Sequence, residues 1–288
     1  MGAFLVSLDM FLQQGEGMIV RRYGKKHGDG GMFFNSIICL FSLIFFILTD
    51  KNGLVFPKKL FLYGLISCIM FAIGFYAMYV ALQYGSYVST KLISSFSGVI
   101  SIVYGITFLK EPAGFNTYLG IILVFFSVFL MRYKKKSERD KNDKGFSLKW
   151  LLYVLASAIS NGFISVISRM QQIRFENSYD NEFMILSFGG AFIALFILGI
   201  IKERENFRYI AKYGTLYGIG AGFFNGSKNL VNLAIYLYIP ISVATPVKTG
   251  LGFILNFIIS VFLYKEKFTK QQLISVLLGI VALILFKL

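Results

Sequence analysis

Along the whole chain, long runs without a charged residue alternate with short clusters of Lys, Arg, Asp and Glu. Inside the runs apolar residues occupy every position class, as in "FFNSIICLFSLIFFIL" and "LLGIVALILF". A membrane-barrel strand would alternate polar and apolar residues over roughly 10 positions, so these runs predict helices. A helix needs about 20 mostly apolar residues to cross the hydrocarbon core. That ruler predicts ten spans: Phe4–Val20, Met32–Thr49, Leu60–Tyr84, Val88–Leu109, Asn116–Met131, Trp150–Ser168, Phe183–Ile201, Ile210–Leu237, Ile241–Tyr264 and Gln271–Phe286. The first is atypical, because "FLQQGEGMIVRR" places Gln13, Gln14 and Glu16 where lipid-facing residues are expected.

Composition agrees with this pattern. The 288 residues are 56% hydrophobic with a mean hydropathy of +0.68, against roughly 45–50% apolar content in soluble domains. The chain is therefore an all-α integral membrane protein. Its 29 Lys and Arg against 14 Asp and Glu would suit nucleic acid, but they lie in the interhelical segments, most densely in Arg132–Lys149, which points to a membrane surface. Cys39 and Cys68 sit singly in apolar runs and His27 is the one histidine, so no disulfide framework, metal site or cofactor is indicated. No Ser/His/Asp set stands out, and the chain reads as a non-enzyme. Asp9 and Glu16 also interrupt what would be the apolar core of a signal peptide, so the N-terminal segment reads as the first helix.

The basic segment lies near the middle and divides the chain into 1–132, a linker 133–149, and 150–288, with five spans in each half. The halves resemble one another. "YGITFLKEPAGFNTYLG" and "FIISVFLYKEKFTKQQLIS" each run from an apolar helix through Lys-Glu (Lys110-Glu111, Lys265-Glu266) into another apolar helix, and Gly15…Arg22 matches Gly162…Arg169 in spacing. Five is odd, so two halves sharing one fold must cross the bilayer in opposite senses. Two inverted five-helix repeats are the architecture of many secondary transporters.

On these residues the chain resembles the EamA-type transporters of the drug/metabolite transporter superfamily. The resemblance rests on ten spans in two halves, a first helix with Leu-Gln-Gln-Gly, and an acidic residue followed nine positions later by a small one, Glu111 then Gly120 and Glu266 then Ser275. It implies transport of small metabolites or drugs, commonly as export. In the small multidrug resistance branch of that superfamily, a carboxylate in the first helix couples protons to cationic drugs. Glu16 is similar to it in helix but not in register, since aligning Arg22 with that branch's terminal Lys puts Gln14 in the carboxylate's place.

Ionisable residues inside the bilayer cost roughly 2.5–3.5 kcal/mol on insertion scales and therefore mark functional candidates. Asp9, Glu16, Lys91, Lys228 and Lys248 qualify. Asn225, Lys228, Asn229 and Asn232 stand at i, i+3, i+4 and i+7, one helical stripe that lines a cavity or bonds neighbouring helices. Gly214, Gly218, Gly222 and Gly226 in the same span form a ladder that lets another backbone approach. Lys91 and Lys248 hold nearly corresponding places in the fourth and ninth spans, and Pro246 is positioned to kink or break the ninth. Tyr76, Tyr79 and Tyr84 mark the third span, chiefly as packing or interfacial anchors. For Glu16 three roles stay open: proton coupling, pairing with Lys228 or Lys248, or a position near the interface.

The expected substrate-binding set is Gln13, Gln14, Tyr79, Lys91, Asn225, Lys228, Asn229, Asn232 and Lys248, with Glu16 as the coupling group. Three intramembrane lysines against two carboxylates favour a small anionic or zwitterionic metabolite, such as an amino acid, exported by alternating access. The alternative is a proton-coupled exporter of cationic drugs that uses Glu16. Expected partners are the substrate, the lipid bilayer and, in the second reading, protons. The expected location is the plasma membrane, of the bacterial inner-membrane kind. Most loop Lys and Arg lie on the linker's side, which by the positive-inside rule makes the linker cytoplasmic and the termini external. The family resemblance implies the opposite.

Overall fold

A computed structural model describes residues 1–27, 31–50, 53–84, 90, 94, 97–111, 114–132, 148–264, 274, 277–278, 281–282 and 285. Every regular element among them is helical: α1 (Gly2–His27), α2 (Gly31–Thr49), α3 (Lys58–Tyr84), α4 (Ser97–Thr107), α5 (Phe115–Arg132), α6 (Leu148–Arg174), α7 (Asp180–Lys202), a 3₁₀ turn (Arg204–Asn206), α8 (Phe207–Tyr238) and α9 (Ile241–Tyr264). Four described segments are long and apolar enough to cross a membrane: Gly31–Thr49, Lys58–Ala81, Leu148–Arg174 and Asp180–Lys202. Nearly all of the expected tenth span, and Lys91 with most of the start of the fourth, lie outside the described residues.

Several helices outrun their apolar patterns. The first continues past Val20 through Arg21 and Arg22 to His27. Its last turns are held by ring contacts, Tyr23 on Phe34 at 3.8 Å and His27 on Tyr213 at 5.4 Å, so packing carries the helix beyond the point where hydropathy ends. The sixth runs past Ser168 to Arg174, which places Arg169 inside it. Of the two outcomes expected at Pro246, a kink or a break, the break is corrected: α9 is continuous through it. Pro246 stands only in its second turn, where the missing N–H forgoes one intrahelical bond, to the carbonyl four residues back.

The largest core lies among α2, α3, α6 and α7, where Phe46, Phe71, Phe183, Phe188 and Leu195 are buried together and the Phe71 and Phe188 rings stand 4.7 Å apart. The packing follows a regular scheme. α1 packs on α8 as α6 packs on α3, α2 on α8 as α7 on α3, and α1 on α9 as α6 on α4; α2 also packs on α7, and α4 on α9. Exchanging helices five apart, α1 with α6, α2 with α7, α3 with α8 and α4 with α9, therefore carries the first set of partners into the second.

The glycine ladder of α8 takes α2. A Cβ at Gly218 would stand 2.4 Å from Ile37, one at Gly226 2.7 Å from Phe45, and one at Gly222 2.5 Å from the Phe41 Cβ and 2.9 Å from the Ile38 carbonyl. With α2 this close, the Ser42 hydroxyl donates to the Gly222 carbonyl at 3.1 Å. Two carboxylates also cross between the halves to cap helix starts, whose first N–H groups have no partner within the helix. Glu203 accepts from the Met32 and Phe33 amides of α2 at 3.0–3.1 Å. Glu111 accepts from the Ile241 and Ser242 amides of α9 at 3.1 and 2.8 Å.

Gly222→Leu is expected to lower stability by about 1–3 kcal/mol, because the new side chain meets backbone and not a movable side-chain end. Gly24→Ala, where a Cβ meets nothing within 4 Å, should be neutral or stabilising by up to about 1 kcal/mol from helix propensity. Thermal unfolding of both variants in detergent checks this; equal melting temperatures would mean that the ladder is not a tight seam.

Candidate functional site

The site is built where α1 crosses α8 and α9. On α1, Asp9, Gln13 and Glu16 stand at i, i+4 and i+7 and share one face. The α8 stripe Asn225, Lys228, Asn229 and Asn232 runs antiparallel to it, since Gly2 of α1 lies against Tyr238, Gly15 against Phe224, Ile19 against Gly220 and Tyr23 against Gly214. Gly15 lets α1 come close, for a Cβ there would lie 2.6 Å from the Phe224 ring.

Two rungs join these faces. In the first, Glu16 Oε2 accepts from Lys228 Nζ at 2.6 Å and Oε1 accepts from the Asn225 amide at 2.7 Å, with the two charged side chains only 13% and 22% exposed. The Asn225 side-chain oxygen in turn accepts from Asn229 Nδ2 at 2.9 Å, which fixes the amide's orientation. In the second rung, Lys248 Nζ lies 2.9 Å from Asp9 Oδ2 and donates to Asn232 Oδ1. Asp9 is buried, and its Oδ1 has no hydrogen-bond partner among the described residues. Each lysine thus has one carboxylate, and each carboxylate–lysine pair is bonded directly by one Asn of α8, Asn225 in the first rung and Asn232 in the second.

Most of the expected binding residues converge here. Asn225, Lys228, Asn229, Asn232 and Lys248 lie in the two rungs with Glu16. Gln13 falls between Asp9 and Glu16 and reaches α9, its Oε1 lying 3.9 Å from where a Cβ of Gly252 would be. Gln14 is half-buried on the flank of that face. Tyr79 lies against the start of α2, its ring filling the space that a Gly31 side chain would need. Lys91 lies outside the described residues. Tyr84 accepts a 2.9 Å hydrogen bond from Lys149, as an interfacial anchor does.

One contributor was not in the expected set. Asp9 was only one of five intramembrane ionisable residues; its seven-residue spacing from Glu16 was the signal that both share a face.

The four charges cancel. Taking one charge out of water is costly unless a partner offsets it, and removing one member of a buried pair costs about 3–5 kcal/mol because the other is stranded. A ligand that presents both a carboxylate and an ammonium can open such a rung without stranding either charge. Lys228→Ala is expected to destabilise the protein by about 3 kcal/mol, and adding Glu16→Gln should recover most of the loss. A double-mutant cycle on detergent melting temperatures reads this directly, and additive effects would show that the pair is not coupled.

Comparison with known proteins places this geometry in context. An uncharacterized protein of Methanocaldococcus jannaschii is 30% identical over 95 residues, which cover 33% of this chain and 66% of the relative, just under two thirds of its length. A solved crystal structure superposes with a TM-score of 0.71 at 12% identity, over 99% of this chain and 98% of the other, a likeness of fold alone. The EamA-like transporter family matches residues 2–133 and 148–288. With nearly every residue inside that match, the chain is a membrane protein that belongs to the EamA-like transporter family.

Proposed function

We propose that this chain is a secondary active transporter that exports a small anionic or zwitterionic metabolite, an amino acid or similar, by alternating access across a plasma membrane of the bacterial inner-membrane kind. The observation that carries the reading is the pair of Lys–carboxylate rungs, Glu16–Lys228 and Asp9–Lys248, set in amide side chains between α1, α8 and α9. Because the rungs are neutral as they stand, the zwitterionic end of that range fits best. A substrate carboxylate would replace Glu16 or Asp9 on a lysine, while its ammonium takes up the released carboxylate. Gln13, Gln14, Asn225, Asn229 and Asn232 would supply hydrogen bonds, with Lys91 of the fourth span completing the site; Tyr79, held at the start of α2, lies too far along the bundle to join them.

The architecture belonging to this reading is ten transmembrane helices in two inverted repeats, 1–132 and 150–288, joined by the linker 133–149. It is supported by the five-helix offset that relates the packing partners, and by the family match falling on either side of the linker. Inversion suits alternating access, since one packing scheme then serves both faces of the membrane. The rival reading, proton-coupled export of cationic drugs through Glu16, needs that carboxylate to be available. Lys228 and Asn225 already engage both of its oxygens, which weighs toward the metabolite.

Thermal stability of the detergent-purified protein, measured across amino acids, sugar phosphates and cationic dyes, tests the proposal. A substrate at 100 times its dissociation constant should stabilise by about 2.7 kcal/mol. A zwitterionic amino acid is expected to do so in the wild type and to fail in Lys228→Ala and Lys248→Ala. Stabilisation by cations alone, kept in Lys228→Ala and lost in Glu16→Gln, would replace this reading with the drug exporter.

A further inference from the structure

At one end of the bundle, remote in sequence from the charged rungs, three phenylalanines from three elements meet edge-on. Phe33 of α2 stands 5.7 Å from Phe196 of α7 and 5.0 Å from Phe207 of α8, and Phe196 stands 6.3 Å from Phe207. They form one wall of an open recess of about 510 Å³ between the end of α7 and the start of α8. Ile200 extends that wall, and beyond it Ile197 and Ile201 are 50% and 70% exposed, so the apolar surface runs on without interruption into the outward face of α7. In a membrane protein that face meets acyl chains.

The other wall is basic. Arg204 and Arg208 line the recess across the 3₁₀ turn, with Glu205 between them as the carboxylate of the lining. Neither arginine forms an ion pair among the described residues. Glu203, the nearest further carboxylate in sequence, is turned away and occupied by the Met32 and Phe33 amides. Lys202 and Lys212 flank the corner in sequence and keep its balance positive. A cleft with an aromatic and aliphatic wall continuous with the lipid-facing surface, and two unpaired guanidinium groups at its mouth, has the layering of a phospholipid with a charged head. Guanidinium groups bind phosphate oxygens bidentately, and basic pockets between transmembrane helices hold anionic head groups.

We propose that this corner is a binding site for an anionic phospholipid of the phosphatidylglycerol type, its phosphate on Arg204 and Arg208 and its first acyl carbons against Phe196, Ile200 and Phe207. The site depends on the chain residing in a membrane and not on which solute it carries. It ties the α7–α8 turn to the leaflet, and through Glu203 the same turn holds the start of α2. An occupied recess therefore steadies a contact between the two halves of the chain.

The test uses the full chain in a neutral detergent, with native mass spectrometry counting retained lipid at equal additions of phosphatidylglycerol and phosphatidylcholine of matched acyl chains. At about 1 kcal/mol for each basic residue near the head group, two arginines should give phosphatidylglycerol an advantage of about 30-fold. Arg204→Gln with Arg208→Gln should abolish the preference, while Lys58→Gln with Lys59→Gln, at the opposite end of the bundle, should leave it intact. Glu205→Gln should strengthen it, which keeps the proposal testable should the double arginine variant fold poorly. Equal retention of the two lipids, or an unchanged preference in the arginine variant, would overturn the site. Displacement of the lipid by millimolar inorganic phosphate would overturn it as well, since the recess would then serve a soluble anion.

Discussion

A charged side chain in the interior of a membrane helix must find its opposite there, because neither lipid nor packed protein replaces the water that it leaves. In this chain that requirement falls on α1, which carries Asp9 and Glu16, and among the described residues it is met by helices from the other half of the sequence. Lys228 lies on α8 and Lys248 on α9, so the two rungs bind the N-terminal helix to the C-terminal half. Asn225 and Asn232, seven residues apart on α8, complete one rung each, and the shared spacing of acids and amides is what allows two helices to meet twice with the same chemistry.

Around this crossing the backbone contacts follow the same cross-half logic. The glycine ladder of α8 admits α2 to within the reach of a serine hydroxyl, and a carboxylate from each half caps a helix start in the other, Glu203 on α2 and Glu111 on α9. Hydrophobic attraction is weak between helices that are already in lipid, so close packing, hydrogen bonds and caps bear more of the specificity than they would in a soluble core. The charged rungs differ from these contacts in being exchangeable. A ladder of backbone contacts has no ligand that can substitute for it, whereas a Lys–carboxylate pair can be taken over by a molecule with the same two charges. This difference is why we propose the rungs as the site and read the ladder as the scaffold.

The corner formed by the ends of α7 and the starts of α2 and α8 shows the other boundary condition, the membrane surface. Tyr23, His27, Tyr209, Tyr213 and Tyr217 cluster beside the basic turn, in keeping with the preference of amphipathic rings for the head-group region. Their stacking explains why α1 stays helical through its basic end.

Much of this could be read from residue order. Helix-only architecture, membrane residence and family membership follow from charge-free runs and local motifs, and the α8 stripe follows from the 3.6-residue period, because all of these are properties of one segment at a time. Hydropathy misjudged helix ends for the same reason: Arg21 and Arg22 look like a stop until Tyr23 and His27 find rings on other helices. Pairing was beyond reach. Periodicity assigns Glu16 an angle on its own helix but neither a neighbour nor a depth relative to it, so Lys228 and Lys248 were equivalent partners until α1 was laid across α8. The tertiary structure decided that Glu16 meets Lys228 and Asp9 meets Lys248, because only the axial register of three packed helices determines which charges come within 3 Å of each other.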